Sequence, residues 1–368
     1  MSTKAEVIKQ EFPVSRPVQI LGGLALVVVL SILAWWITKQ VYGVKDMFLG
    51  VPGKVLEYPL WGAIVGLVGN LVLKLTGIHA AVKPGIRTEL FLKTGLVLMG
   101  AGINLALLVT AAGGAILQAF IMISSVFFFT YWLAGKFGLD EKLRAVMSTA
   151  LSVCGVSAAI AAAGSVLAKK EQVTYVTTLV ILVALPLMII APLLAGAIGL
   201  PESVAGAWFG GNIDTTAAVV GAGTIYGEQA QKVASIVKQT QNALIGLVAF
   251  LLAVAFAGKA GGKREKVSAK IIWDRFPKFV LGFVVASIIF TILVSVNKEM
   301  VADALKSIDA MKNWFFTAAF VCMGLELSVG EFKSMGWKPV AVFLIATVFN
   351  TLLALGVSWV IFTYLFPL

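Results

Sequence analysis

Apolar runs of about 20 residues recur from one end of this chain to the other. A helix of that length crosses the hydrocarbon core of a bilayer, which is about 30 Å thick. Only 13% of the 368 residues are charged, whereas soluble domains carry roughly 25%. The sequence therefore predicts an all-α polytopic membrane protein of 10 or 11 transmembrane segments, with apolar runs at residues 18–38, 59–78, 86–109, 111–135, 143–168, 172–199, 203–225, 230–256, 278–297, 312–330 and 338–364.

The charged residues lie between the apolar runs, and their distribution predicts a topology. If residues 1–17 form a cytoplasmic N-terminal segment and the eleven runs alternate, 18 loop Lys and Arg residues lie inside and 9 outside. Such a bias is the positive-inside rule. We expect a single transmembrane domain at residues 18–364, multi-pass in a bacterial inner membrane, with a cytoplasmic basic loop at 258–270. This reading also explains the formal charge of +11 without a nucleic-acid partner.

Four of the runs, at residues 86–109, 143–168, 203–225 and 312–330, are richer in Gly, Ser, Thr and Asn than the others. Non-helical backbone at membrane depth is tolerated where it is buried in protein or lines a cavity. These runs are therefore predicted to be broken, tilted or re-entrant helices.

Two weak internal similarities suggest a repeat. Residues 95–105 and 319–329 share a Met-Gly pair, and their segments, the third and the tenth, would run in opposite directions. Residues 155–167 and 214–226 match in their small-residue pattern, but simple crossing would make these two segments parallel. Either one of them is re-entrant or the likeness is compositional.

The fifth and seventh segments carry the best candidates for a substrate site. Half-helix N-termini in such breaks direct partial positive charge at a ligand, and the nearby hydroxyl and amide groups suit a small oxyanion or carboxylate. The alternative is close helix packing through small residues. The predicted substrate-binding residues of these segments are Ser152, Cys154, Gly155, Ser157, Gly210, Gly211, Asn212, Asp214 and Thr215.

Lys238 and Gln241 extend this predicted site, since they fall within one helical turn of the eighth segment. A charged residue within a span suggests function. Lys238 could neutralise a substrate anion or pair with Asp214, or its side chain could snorkel to an interface. Asp214, Glu326 and Asn104 are the candidates for coupling to H⁺ or Na⁺; Glu326 is only interfacial if its segment ends near residue 325.

The chain has no motif of an enzyme. No Walker sequence, HExxH or GxSxG occurs, so no catalytic residues are predicted. The cysteines Cys154 and Cys322 and the single His79 do not form a metal-ligand spacing, so no metal or other cofactor is expected beyond a coupling ion. Residues 87–93 look like a structural turn with an internal ion pair, and Lys74 is expected to snorkel.

The stretches FLKTGLVLMGAGINL, SVCGVSAAIAA, AWFGGNIDTTAAVVGAG and IVKQTQNALIG occur in this order. Together they resemble the bacterial family of proposed sulfate exporters, long catalogued as conserved hypothetical membrane proteins, over residues 60–364. That family is similar to the superfamily of bile-acid and sodium–proton transporters. The resemblance implies inverted repeats, discontinuous helices and a core that moves against a scaffold, as in an elevator.

Two positions depart from the family pattern. The family often has His and then an acidic residue after the position of Ile213, where this chain has Asp214 and Thr215. It often has Lys-x-x-Arg-Asn where this chain has Lys238 followed by Gln241 and Asn242. Two potential partners of an anion are therefore absent and one negative charge is added, which bears on the substrate more than on the fold.

The sequence thus predicts a secondary active transporter that moves a small anion, such as sulfate, sulfite, an organosulfonate or a carboxylate, by alternating access. A cation/proton antiporter with Asp214 and Lys238 as a titrating pair is the alternative within transport. A membrane channel or sensor is the alternative of another class. The expected partners are the solute and the lipid bilayer, and a homodimer is one expected assembly.

Overall fold

The structure is a computed structural model that describes residues 15–42, 57–257, 270–327 and 336–368. The predicted N-terminal segment up to residue 14 and the basic loop at 258–269 lie outside these residues. The described parts contain no strand. They form the helices α1 Arg16–Tyr42, α2 Tyr58–Leu75, α3 His79–Val82, α4 Thr88–Gly100, α5 Leu105–Lys136, α6 Glu141–Ser152, α7 Val156–Val166, α8 Lys170–Ala197, α9 Glu202–Asn212, α10 Thr216–Tyr226, α11 Glu228–Ala243, α12 Ile245–Ala257, α13 Lys270–Arg275, α14 Phe279–Val296, α15 Lys298–Glu326 and α16 Lys338–Val360.

Seven stretches in the described ranges are long and apolar enough to cross a membrane. They are Arg16–Val41, Tyr58–Leu75, Leu105–Lys136, Lys170–Ala197, Glu228–Phe256, Phe279–Val296 and Lys338–Leu365. Two of these stretches expose most of their residues: only 11% of Phe279–Val296 and 22% of Arg16–Val41 is buried inside the protein. In water such a surface would be unfavourable. The prediction of an all-α polytopic membrane protein is confirmed.

The run at 143–168 does not cross the membrane, because α6 and α7 form a re-entrant hairpin, here called hairpin 1. Lys142, at the start of α6, donates from Nζ to the carbonyl of Leu167, just after α7, at 2.9 Å. Gln172, in the first turn of α8, donates to the α6 cap Asp140 at 2.8 Å. The two ends of the hairpin therefore lie together, and its tip at residues 153–155 lies about 17 Å away, half the depth of a bilayer.

The run at 203–225 is also re-entrant, and its helices α9 and α10 form hairpin 2. The backbone N–H groups of Gln229 and Ala230, just after α10, both donate to the Glu202 carboxylate at the start of α9. Tyr226 donates its hydroxyl to the carbonyl of Leu200. The base of hairpin 2 thus also lies at one face, with its tip at residues 213–215.

The 28-residue helix α8 joins the base of hairpin 1 to the base of hairpin 2. A helix of this length extends for about 42 Å, so the two bases lie on opposite faces. The returning arms α7 and α10, which contain the two similar stretches, therefore run in opposite directions. The expectation from simple crossing, that they are parallel, was wrong because both segments turn back.

The hairpins also correct the predicted topology. The first face is defined here as the one that carries the base of hairpin 1, and the second face as the one that carries the base of hairpin 2. Alternate crossing had placed Lys169 and Lys170 opposite to Lys142; the structure places them with Lys142 at the first face. The start of α14 lies at that face too, because Arg275 packs against Gly164 of α7.

Two predicted boundaries were wrong for separate reasons. The run at 86–109 combines two helices: α4 ends at Gly100, and α5 begins at Leu105 after the cap Asn104. The tenth segment begins at Lys298 rather than at residue 312. The first half of α15 is amphipathic and carries the pairs Lys306–Asp303 and Lys312–Asp309, so hydropathy does not reveal it.

The helices pack in two groups. Helices α1, α2, α4, α14 and α15 contact mainly one another. The second group contains the two hairpins and the helices packed around them, α5, α8, α11, α12 and α16. Glycines permit close packing in the first group: a Cβ on Gly66 of α2 would lie 2.2 Å from the carbonyl oxygen of Val321 in α15. The first group is here called the scaffold and the second the core.

Candidate functional site where the hairpins meet

The tips of the two hairpins touch each other in the interior of the core. A Cβ placed on Gly155, in the tip of hairpin 1, would lie 3.4 Å from the carbonyl oxygen of Asp214 in the tip of hairpin 2. Gly155 has φ +69, a conformation that strains any residue with a side chain. The same Cβ would lie 2.6 Å from Cγ1 of Val180 in α8. Glycine is therefore required both for the turn and for the contact.

The tip of hairpin 2 turns without a left-handed residue. Ile213 and Thr215 both have extended backbones, with φ −79 and φ −92. Thr215 then caps α10, since its Oγ1 accepts a hydrogen bond from the N–H of Ala218 at 3.3 Å. A Thr cap of this kind starts a helix and satisfies one of its free N–H groups.

Both returning arms begin at the tips, so two helix N-termini converge there. Each N-terminus carries a partial positive charge and unpaired backbone N–H groups. The outgoing arms α6 and α9 end at the same place with their carbonyl groups. Helix termini of both signs at the depth of the tips are suited to hold ions away from bulk water.

Lys238 of α11 is buried beside the tip of hairpin 1. Only 2% of its surface is exposed. Its Nζ donates to the carbonyl of Val153 at 2.8 Å and to Oε1 of Gln241 at 3.1 Å. The predicted proximity of Lys238 and Gln241 is confirmed, and the alternative of snorkelling was wrong because the ammonium group bonds to the hairpin instead of to an interface.

Asp214 is buried at the tip of hairpin 2, where its side chain is 2% exposed. Among the residues that the structure describes, no group donates a hydrogen bond to either carboxylate oxygen. The direct Asp214–Lys238 ion pair suggested by the sequence is therefore not formed. A buried carboxylate without a partner is costly, so this position favours a proton or a bound cation.

Other unpartnered polar atoms concentrate on the elements that build the tips. Buried polar groups in proteins are almost always hydrogen-bonded, so such a concentration indicates a place where a ligand, ion or water binds. In the described residues these atoms include Ser148 Oγ, Asn212 Nδ2, Ser235 Oγ, Gln239 Nε2 and Asn242 Oδ1.

A cavity of about 400 Å³ extends from the tips toward the first face. Its inner part is lined by residues of both tips and of α11, namely Cys154, Ser157, Thr215, Thr216 and Asn242. Its outer part is lined by charged residues that belong to α4, α13 and α15, namely Glu89, Lys93, Asp274, Arg275 and Glu326. The volume is that of a small-molecule site.

The predicted site residues separate into three places. Four line the cavity: Cys154, Ser157, Thr215 and the coupling candidate Glu326. Those buried around the tips behind the cavity wall are Ser152, Gly155, Asn212, Asp214, Lys238 and Gln241. Those that lie apart are Gly210, Gly211 and Asn104.

The three that lie apart have packing or capping contacts. A Cβ on Gly210 would lie 2.7 Å from Cβ of Val237, and one on Gly211 would lie 2.2 Å from Nε2 of Gln118. Asn104 caps α5 by accepting from the N–H of Leu107 at 2.7 Å. These contacts match the alternative of close packing for the two glycines.

Sequence reasoning missed part of the cavity lining. Glu89 and Lys93 form the expected ion pair at 2.8 Å, but Glu89 also accepts from Ser157 of hairpin 1 at 3.1 Å. Asp274 and Arg275, which follow the predicted basic loop at 258–270, were not predicted to belong to the site. A charged pair directly before an apolar run was the available signal, although nothing in the sequence places it beside the hairpins.

A second cavity of about 500 Å³ lies at the second face, between α4, α11 and α15. A polar contact separates it from the tips. The hydroxyl groups of Tyr58 in α2 and Thr224 in α10 lie 3.4 Å apart, and Gln231 donates to Thr224 at 2.6 Å. Tyr58 also packs on Phe320 of α15. This contact joins scaffold and core.

A family model described as conserved hypothetical protein 698 matches residues 22–345 of the chain. The chain belongs to this family. Among similar proteins of family 698, a UPF0324 membrane protein of Rhodopirellula baltica is 36% identical over 94% of this chain. A UPF0324 membrane protein of Nitratidesulfovibrio vulgaris is 36% identical over 83% of this chain.

These comparisons establish a membrane-protein family but do not extend to its activity. The chain spans 64% of the length of the Rhodopirellula relative and 55% of the Nitratidesulfovibrio relative. Another UPF0324 membrane protein of Nitratidesulfovibrio vulgaris is 28% identical over 87% of this chain and 88% of its own length. No solved structure matches the chain.

Proposed function

We propose that this chain is a secondary active transporter that carries a small anion across a bacterial inner membrane by alternating access. The observation that carries the proposal is the meeting of two re-entrant hairpins from opposite faces, with a cavity at their tips. Such broken elements form substrate sites at the midplane of secondary transporters. No enzymatic activity is proposed.

An anion is the substrate class that the inner part of the cavity favours. The first turns of α7 and α10 line it with Ser157, Thr216 and Ala217, so two helix N-termini face a bound solute. The ammonium group of Lys238 lies behind the tip of hairpin 1. Sulfate, sulfite, an organosulfonate or a carboxylate would fit this arrangement.

Alternating access is supported by the two cavities and by the division into core and scaffold. The cavity at the first face reaches the tips, while the Tyr58–Thr224 contact closes the path from the second face. In this proposal the core moves against the scaffold, breaks that contact and opens the tips to the other side. The opposite directions of α7 and α10 fit an inverted repeat, which provides two equivalent packings.

Asp214 is proposed as the coupling residue. A proton or Na⁺ would satisfy its buried carboxylate, to which no group in the described ranges donates a hydrogen bond. Neutralising Asp214 would also remove a negative charge close to the anion site. Solute and coupling ion would then bind together, since each reduces the cost of burying the other.

A cation/proton antiporter is the second candidate, and the unpartnered Asp214 carboxylate is the observation that favours it. In that case the cation itself is the cargo, and oxyanions have no effect on transport. The anion is preferred because the cavity is lined by the first turns of α7 and α10 rather than by the C-terminal residues of α6 and α9.

The first face is proposed to be cytoplasmic. The N-terminal helix α1 begins there, because Gly23 packs on Gly85 shortly before α4 begins. Lys142, Lys169 and Lys170 lie at this face as well. A concentration of Lys and Arg at one face is the signal of the cytoplasmic side. A homodimer stays a prediction.

The test is uptake of sulfate, sulfite, ethanesulfonate and acetate into proteoliposomes, with a proton or sodium gradient imposed. We expect gradient-driven uptake of at least one of these anions and its loss, by tenfold or more, in Lys238→Met. Lys232→Met is the matched control, since Lys232 lies on the same helix but pairs with Glu228 at the second face. Sodium-driven proton flux that no anion alters would replace the proposal with the antiporter, and currents far above carrier rates would indicate a channel.

A further inference from the structure

The outer part of the cavity carries more negative than positive side chains. Three carboxylates line it, Glu89, Asp274 and Glu326, against two cations, Lys93 and Arg275. Glu89 is neutralised by Lys93 at 2.8 Å, and Asp274 precedes Arg275 directly in the chain. Glu326 forms no ion pair in the described part of the chain, and its neighbour in the cavity wall is the uncharged Thr88. A simple anion gains nothing from such a carboxylate.

Side chains of α2 hold the backbone immediately before and after Glu326. Asn70 donates to the carbonyl groups of Gly324 and Leu327, and Lys74 donates from Nζ to the same Leu327 carbonyl at 3.0 Å. Lys74, which was expected to snorkel, thus bonds to the end of α15 near the first face. The Lys74 charge compensates the carbonyl end of α15, so it is not engaged with the Glu326 carboxylate.

His79 also contacts the end of α15, with its Nε2 lying 3.3 Å from the carbonyl oxygen of Leu325. The carbonyl groups of residues 324, 325 and 327 are thus all held by the C-terminal part of α2 and by α3. A carboxylate on a rigid helix end is suited to bind a ligand group at a defined place.

The two ends of the cavity are close together. Ser157, in the first turn of α7, donates to Glu89 at 3.1 Å, so the inner wall at the tips directly adjoins the charged wall of α4. A small molecule at Ser157 therefore lies beside the charged wall, to which Glu326 also belongs. In addition, Asn242 lines the inner part, is 3% exposed and has an amide oxygen without a partner.

We propose that the solute is a small zwitterion, an aminosulfonate or an amino acid, with its anionic group at the hairpin tips and its ammonium group on Glu326. This inference rests on the proposed function and specifies its substrate class. Two helix N-termini bind the negative end, and a charge-assisted hydrogen bond to Glu326 binds the positive end. A ligand of this kind complements both walls, whereas a simple anion complements only one.

The test compares ligands that differ only in the ammonium group, taurine with ethanesulfonate and β-alanine with propionate. Affinity is measured on the purified full chain in detergent, from the ligand-dependent rise in melting temperature. We expect the zwitterion of each pair to bind at least tenfold more tightly. Glu326→Gln should weaken taurine about tenfold and change ethanesulfonate less than twofold. Glu171→Gln, which removes a carboxylate in the first turn of α8 outside the cavity, should change neither.

The outcomes separate this inference from the proposed function. If both members of a pair bind equally, and Lys238→Met weakens both, the solute is a simple anion: the inference fails and the function stands. If Glu326→Gln leaves the preference for the zwitterion intact but removes the pH dependence of uptake, Glu326 carries a proton and the inference fails. If no ligand of either kind binds the native chain, both proposals are overturned.

Discussion

The two hairpins differ in how their tips are held. Hairpin 1 is fixed by Lys238, which bonds to the Val153 carbonyl, and by Gly155, which no larger residue can replace without strain. Hairpin 2 is buried along nearly its whole length, yet its tip carries the Asp214 carboxylate with no hydrogen-bond partner among the described residues. Both tips line the cavity, but the tip of hairpin 1 has a charged partner in Lys238, whereas the carboxylate of hairpin 2 lacks a hydrogen-bond partner in the described ranges.

This difference suggests a division of roles. The tip of hairpin 1 is structurally complete and presents Cys154 and Ser157 to the cavity. The tip of hairpin 2 carries the Asp214 carboxylate, which has no hydrogen-bond donor in the described residues and would be satisfied by a proton or a cation. In the proposed transporter, both tips therefore bind the solute, and hairpin 2 in addition senses the coupling ion. Buried polar groups left unsatisfied in native structures are expected at functional sites.

The largest effect is expected from Gly155→Ala in hairpin 1. A left-handed backbone for a residue with a side chain, together with the contact to Val180, should cost about 2 to 3 kcal/mol. The melting temperature in detergent should fall, and uptake should be lost. Gly196→Ala in α8 is the control, because nothing lies within 4 Å of that Cβ; it should be neutral. A neutral Gly155→Ala would mean that the tip is not rigid.

A smaller effect on stability, but a specific one on transport, is expected from Asp214→Asn in hairpin 2. The amide is isosteric and removes an unpaired buried charge, so the melting temperature should stay the same or rise. Uptake should no longer respond to the coupling gradient. The measurement is the initial rate with and without the gradient. A clear drop in melting temperature would show that Asp214 has a stabilising partner and that the two tips do not differ as described.

The smallest effect is expected from Tyr58→Phe, which removes the hydroxyl contact between the scaffold and Thr224 of hairpin 2. A hydrogen bond of this kind contributes about 1 kcal/mol. The population open to the second face should therefore rise by a few-fold, seen as faster labelling of Cys154 by a thiol reagent added at that face. Lys306→Met is the control, because Lys306 is an exposed residue of the second cavity. This variant should leave the labelling rate unchanged. Equal labelling rates in the Tyr58→Phe and native chains would show that this contact does not keep the second face closed.

Much of this fold followed from sequence, because length and hydropathy determine which segments lie in lipid. The runs at 143–168 and 203–225 were recognised as breaks from their Gly, Ser and Thr content. Whether a broken helix continues or turns back depends on contacts such as Lys142 to Leu167, between residues far apart in sequence. No local pattern encodes such contacts, so the sequence left both possibilities open.

For the same reason, only part of the candidate site could be predicted from the sequence. The tip residues Cys154, Ser157 and Thr215 were identified because polar residues in an apolar run are conspicuous. Glu89, Asp274 and Arg275 were not, since charges at the ends of spans are ordinary. Their membership in the cavity arises from the packing of the scaffold against hairpin 1. The sequence also suggested an Asp214–Lys238 pair, whereas Lys238 bonds to a backbone carbonyl that only the hairpin turn exposes.

The most direct test of the central claim, that solute binds where the hairpins meet, uses the native cysteine of hairpin 1. Cys154 lines the cavity with 7% of its surface exposed, whereas Cys322 is fully buried, so Cys322→Ser leaves one thiol, the one that lies at the cavity. In proteoliposomes, a small membrane-impermeant thiol reagent should modify Cys154 from the first face, and a transported solute should slow the reaction by tenfold or more. Modification that no transported solute slows would contradict a site at the hairpin tips.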